Sequence, residues 1–366
     1  MIILKIKHLL IFLVFTLLLC SCNNENDKIN RVSDKEKIFK FLDRHKNDEF
    51  SYYDSSSIKP GDKLYVPVLA IQRKRWDIAL PLLEDLVKDN NPDAMYWLAS
   101  ISGGSALSGV KMAALFEKSA NLGNPYAALR LNSGAKDCDL YLRGYCNKKW
   151  GDKAKDILAK KASSGDVRAE YQLAILNGKS VNDTLDLALK NANDDYFFPL
   201  YNYLDYNYSL DSITRKKLYE FMTKKMFAPV GRLMFLNFIR DSFESSYYDE
   251  RFSTLESTDF IWNSVYNINT RLFNKKPDRK YIKNIIRAKF VLEALKNSDD
   301  IDSHFTERDI KDVNIAGYFN IELQENKIDP INDKELNILK EEALSVVNKL
   351  KPIVFIDQFY FEPDTL

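Results

Sequence analysis

Few residues of this chain have the types and spacing that chemistry requires. Gly103-Gly104-Ser105-Ala106 sets a serine beside glycines, but without the Gly-x-Ser-x-Gly spacing that exposes a nucleophile on a strand-to-helix turn. A general base would have to be His45 or His304, which lie far apart in sequence and in no motif. Neither phosphate-loop signature occurs. Asp299, Asp300 and Asp302 with Glu307 have the acidity of a calcium loop but neither its glycine nor its alternating ligands, so they read as a solvated acidic loop. Cys138 and Cys146 would need further ligands to hold zinc, and none is near. As a free thiol, either would need an electropositive, exposed setting. Carboxylates are plentiful, yet sequence places no pair across a cleft. The reading is a chain that is not an enzyme and has no metal site and no cofactor. Its alternative is an enzyme with a site within residues 206–366, since titratable constellations form only in the fold.

The elements that carry these residues begin at the N-terminus. Lys5 and Lys7 precede the apolar run Leu9–Leu19, the layout of a secretory signal. The run is shorter than the ~20 apolar residues a membrane-spanning helix needs. It ends in Leu19-Cys20-Ser21-Cys22, which resembles the lipobox of bacterial lipoproteins. Cys22 fits that pattern, with Ser21 as the small residue before it; Cys20 follows bulky Leu19 and does not. The resemblance implies removal of residues 1–21, a diacylglycerol thioether on Cys22 and N-acylation, with residues 22–32 as a polar tether. An ordinary signal peptide with incidental cysteines is the bland alternative. Several acyl chains anchor stably, whereas one binds only marginally. Asn23 and Asn24 follow, with no aspartate after the cysteine, which implies an outer membrane lipoprotein facing the periplasm. Loss of Lys5 and Lys7 takes the formal net charge from +1 to −1. So neutral a chain argues against nucleic acid, which needs a concentrated basic surface.

One spacing then repeats. Ala120, Gly123, Ala127 and Leu131 recur as Ala162, Gly165, Ala169 and Leu173, more weakly as Val87, Asn90, Ala94 and Leu98, and faintly as Ala192, Asp195, Pro199 and Tyr203. Alanine and leucine four apart share one helix face. Gly123 and Gly165 can turn left-handed and end a helix. Asn91-Pro92, Asn124-Pro125 and Asp166 then supply caps for the next one. The repeat leucines lie 33 and 42 residues apart, a period that signals helical hairpins stacked in an array. The elements Leu98-Ala-Ser-Ile-Ser-Gly-Gly104, Ser108-Gly109-Val110 and Ala114–Ala120 with Gly123 resemble Sel-like repeats, relatives of the tetratricopeptide repeat. The resemblance covers residues 76–205. It implies an all-α helix-hairpin solenoid with a protein-binding face. It departs from the family at a distorted aromatic–glycine loop and at an insertion over 137–150 that contains Cys138 and Cys146. In cysteine-rich members a pair with this spacing staples adjacent helices. An oxidising periplasm favours the same disulfide, which would contribute ~2–3 kcal/mol on the chain-entropy model.

Flanking the array, residues 33–75 read as an N-terminal helical segment. A capping box at Ser33-x-x-Glu36 opens a helix reaching about His45, a loop fills 46–61, and 64–72 favours helix. Residues 206–366 continue as a C-terminal helical region. Its helices are expected over 213–227, 233–239, 260–272, 281–295 and 335–350, and its aromatic tail 353–361 is expected to cap the last of them. The residue before each repeat leucine, namely Trp97, Arg130 and Gln172, is the candidate partner-binding set; tryptophan and arginine are enriched at hot spots. Trp97 could equally pack beneath the preceding loop. The functional expectation is a lipid-anchored binding module that grips a protein. Periplasm-facing lipoproteins with Sel-like repeats include antidotes to antibacterial toxins, which by analogy implies an immunity role. An envelope scaffold is the alternative.

Overall fold

The computed structural model describes residues 34–49, 51–102, 108–142, 144–207, 210–231, 261–297, 310 and 315–359. Outside them lie Cys22 with the signal and tether, Ser33, the Gly103–Ser105 loop, the helix expected over 233–239, His304 and the acidic loop around Asp299. The described residues are helical, with no β-strand among them, so the chain is all-α.

Apolar stripes three and four residues apart build each helix and choose its buried face. The order is α1 (34–44), α2 (Tyr65–Gln72), α3 (Trp76–Lys88), α4 (Pro92–Ile101), α5 (Gly109–Asn121), α6 (Pro125–Arg130), α7 (Lys136–Tyr141), α8 (Lys148–Ser163), α9 (Val167–Leu176), α10 (Leu185–Asn193), α11 (Phe198–Tyr206) and α12 (Ser212–Lys224). After a gap in the description come α13 (Trp262–Lys275), α14 (Arg279–Asn297), α15 (Ile315–Glu325) and α16 (Asp333–Val347). In α5, for example, Met112, Phe116 and Ala120 recur every fourth residue and are all buried. From α2 to α11 each helix packs on the next in chain order, except that α6 meets α8 directly and α7 stands aside in the insertion. Cys138 and Cys146 are joined there by a disulfide, their Cα atoms 5.7 Å apart.

The hinge spacing has a single structural basis. Asn90, Gly123, Gly165 and Asp195 have φ of 60°, 101°, 96° and 56°. Each ends its helix with the same bond pair: Gly123 N–H donates to Ala120 C=O and Asn124 N–H to Ser119 C=O, as do the equivalents at the other three sites. The next helix is then capped by a side chain in three of the four copies. Asn91 Oδ1 accepts from Ala94 N–H, Asn124 Oδ1 from Ala127 N–H, and Asp166 Oδ1 from Arg168 and Ala169 N–H. In the fourth the helix starts one residue later, and its N-cap Phe197 makes no such bond.

Buried residues form two cores. One gathers Leu64 to Ala154; the other gathers Leu185 to Val347 together with Ile38 and Phe41 of α1. The first described helix therefore belongs with the second half of the chain. The tail joins the core of the last helices and reaches a second core as well. Residues 352–357 run extended, placing Ile353 and Phe355 in one core and Val354 and Ile356 in the other. Alternation in an extended chain sends successive side chains to opposite sides, so an apolar tail of this kind needs two apolar surfaces, not one.

Candidate peptide-binding face

The tail lies along a face built from α2, α4 and α6, and the contacts come mostly from side chains that read main chain. Ser57 N–H donates to Val354 C=O at 2.8 Å, and Val354 N–H donates to Ser56 Oγ at 3.1 Å. Gln72 acts from α2: its Nε2 donates to Ile353 C=O at 2.9 Å and its Oε1 accepts from Phe355 N–H at 2.7 Å. One side-chain amide thus does what a peptide group of a neighbouring strand would do. Tyr65 O–H donates to Pro352 C=O.

Farther along, Tyr96 O–H of α4 donates to Gln358 C=O at 2.7 Å. The Gln358 side chain is held from both sides, accepting from Asn124 Nδ2 at 2.9 Å and donating to Asp93 Oδ1 at 3.3 Å. Asn124 Nδ2 also donates to Asp93 Oδ1 at 2.6 Å, while its own Oδ1 is taken by the α6 cap. The Phe359 ring meets Tyr126 of α6 edge-on, centroids 6.3 Å apart. Burial holds the Tyr96 and Tyr126 phenols above their ordinary pKa, with nearby Asp357 adding to the effect. Both therefore stay protonated as hydrogen-bond donors at neutral pH.

The three residues singled out from the repeat occupy different environments. Trp97 is fully buried, its indole edge-on to Tyr96 at 5.3 Å, so it is core beneath the face and not an exposed anchor. Gln172 is also buried; its Oε1 accepts from Tyr126 O–H at 2.8 Å. Arg130 is half-buried, with Nη2 3.4 Å from Tyr96 Oη and the guanidinium over that ring. The physical reason is packing on two sides: α4 lies between α3 and α5, and α9 between α8 and α10, so the position beside the leucine turns inward. Arg130 contacts Tyr96 and Gln172 contacts Tyr126, the two tyrosines that meet the tail. Among the residues that meet the tail, Asp93 and Tyr126 both stand just before a repeat alanine.

Titratable groups gather at a second place. His45 Nδ1 lies 2.7 Å from Asp48 Oδ2, and its Nε2 lies 2.8 Å from Asn193 Oδ1. Lys225 Nζ stands 3.3 Å from Asp48 and 3.6 Å from Asp195. The His45 hydrogen bond lowers the Asp48 pKa, while burial raises that of Asp195 against the opposing pull of Lys225. These bonds fasten the end of α1 to the ends of α10 and α12. Among the described residues no group of three or more His, Cys, Asp and Glu is placed to hold a metal ion, and no helix is long and apolar enough to cross a membrane.

No family model matches this chain, and neither a curated protein nor a solved structure is significantly similar to it.

Proposed function

We propose that this chain is a lipid-anchored, periplasm-facing helical-repeat lipoprotein of the outer membrane that acts by binding another protein, and that its role is of the immunity type, neutralising an antibacterial toxin. The observation that carries the binding reading is the face on α2, α4 and α6, which already holds an extended peptide through donors and acceptors aimed at its main chain. The recurring left-handed hinges at Asn90, Gly123, Gly165 and Asp195 support a stacked helix-hairpin solenoid under that face. The internally paired network around His45 supports binding over catalysis.

Two experiments test this. Cys22→Ala should abolish fatty-acid labelling and move the protein from the membrane to the soluble fraction; unchanged membrane association would remove the lipoprotein reading. The chain from Cys22 onward should capture the product of a neighbouring toxin gene and protect cells that express it. Absence of both complex and protection would sink the immunity role. An envelope defect on deletion in cells never exposed to toxin would favour a scaffold.

A further inference from the structure

The hold on the tail changes along its length. Ile353, Val354 and Phe355 are fully buried between the two cores, and their main chain is bonded by Ser56, Ser57 and Gln72. Asp357, Gln358 and Phe359 are only half-buried, and their hold includes a polar set around Gln358 and a ring contact to Tyr126. That polar set has a definite chemistry. Asp93 offers an acceptor, and Asn124 offers a donor whose orientation is fixed because its own Oδ1 caps α6. One acceptor beside one donor matches a primary amide and opposes a carboxylate, which would face Asp93. Beyond Tyr126, the buried Gln172 Nε2 has no hydrogen-bond partner among the described residues, so a donor waits there for one more acceptor.

We propose that Asp93, Tyr96, Asn124, Tyr126 and Gln172 form an exchangeable peptide subsite selective for a glutamine followed by an aromatic residue in an extended segment. In this molecule the subsite is held by Gln358 and Phe359, and a partner protein presenting the same pair displaces them. The inner tail stays in place as part of the core. The inference rests on the protein-binding reading and names the ligand class for that face.

The probe is a fluorescein-labelled peptide with the sequence of residues 354–361, measured by anisotropy against the full chain. Gln358→Ala with Phe359→Ala, which leaves Ile353 to Ile356 untouched, should bind it about tenfold or more tightly than the wild type, where the resident pair competes. A peptide with glutamate in place of glutamine should bind that variant at least ~10-fold more weakly, because a site built for an amide leaves its polar groups opposed. Adding Asp93→Asn should bring the two peptides close to equal. No binding to the emptied variant, or no preference for glutamine, overturns the proposal. Hydrogen exchange on the wild type needs no variant: amides of 357–359 should exchange ~10-fold or more faster than those of 353–356. Equal protection would mean that the tail moves as one unit and would overturn exchange at the subsite. Failure of the peptide with toxin protection intact removes the subsite alone; peptide binding without protection removes the immunity role alone.

Discussion

Lys327 is exposed and held at φ 58°, a left-handed conformation that costs a side-chain-bearing residue ~1–2 kcal/mol. Lys327→Gly should raise the unfolding free energy by ~0.5–1 kcal/mol after glycine's larger chain entropy is charged against it. The reading is a higher urea midpoint at unchanged slope. Gly123→Ala runs the other way, losing ~1 kcal/mol or more at φ 101°. Glu335 gives a pH dependence. Arg279 first, then Lys283, lower its pKa from 4.5 to about 2; the Arg279 fork grips both carboxylate oxygens, at 2.8 and 2.5 Å. A depressed folded pKa means that the stabilisation is whole above pH 4.5 and is lost as pH falls through about 2. Glu335→Gln should therefore be less stable at pH 6 and should flatten the acid limb of the stability curve. An unchanged limb between pH 4.5 and 2 would show that the pair does not act.

At the scale of elements, the array depends on close approach at the repeat alanines. Ala127 is fully buried where α6 meets its neighbours, and Ser119 on α5 donates to Pro92 C=O of α4 at 2.6 Å, so the helices stand close together. Ala127→Trp should cost ~1–3 kcal/mol or more by overpacking, visible as a fall in Tm; an unchanged Tm would reject the stacking. The elements were legible because their signals are local. Asn124 caps a bond three residues away, and Gly123 closes bonds to the helix it ends. The sequence reading contains no helix over 315–325, where α15 lies, and the fate of the position beside each repeat leucine is not legible in it, because it depends on how many neighbours a helix acquires.

At the scale of the molecule, the tail couples the two cores. Phe355 packs on Phe227 in one, while its N–H is bound by Gln72 on α2, which packs in the other. The wild type should unfold in one transition. Phe355→Ala should cost ~3–5 kcal/mol and separate the loss of α4 from that of α14 in hydrogen exchange. Retention of a single coincident transition would show that the tail is not the coupling element. The N-terminal helix contributes in the opposite sense: Lys37 pairs with Asp186 and Tyr203 donates to Asp34, tying the start of the described chain to its second half.

Helical class, the hinge positions and the caps follow from residues within a few places of one another, and the sequence by itself determined them. Only the tertiary structure decided what the face on α2, α4 and α6 holds. Tyr96 and Gln358 are 262 residues apart, and Ser56 and Val354 are 298 apart. No periodicity links such positions. An apolar alternating tail states that two surfaces must receive it, and which two is settled only when the helices have packed and left a line of hydrogen-bonding side chains between the cores.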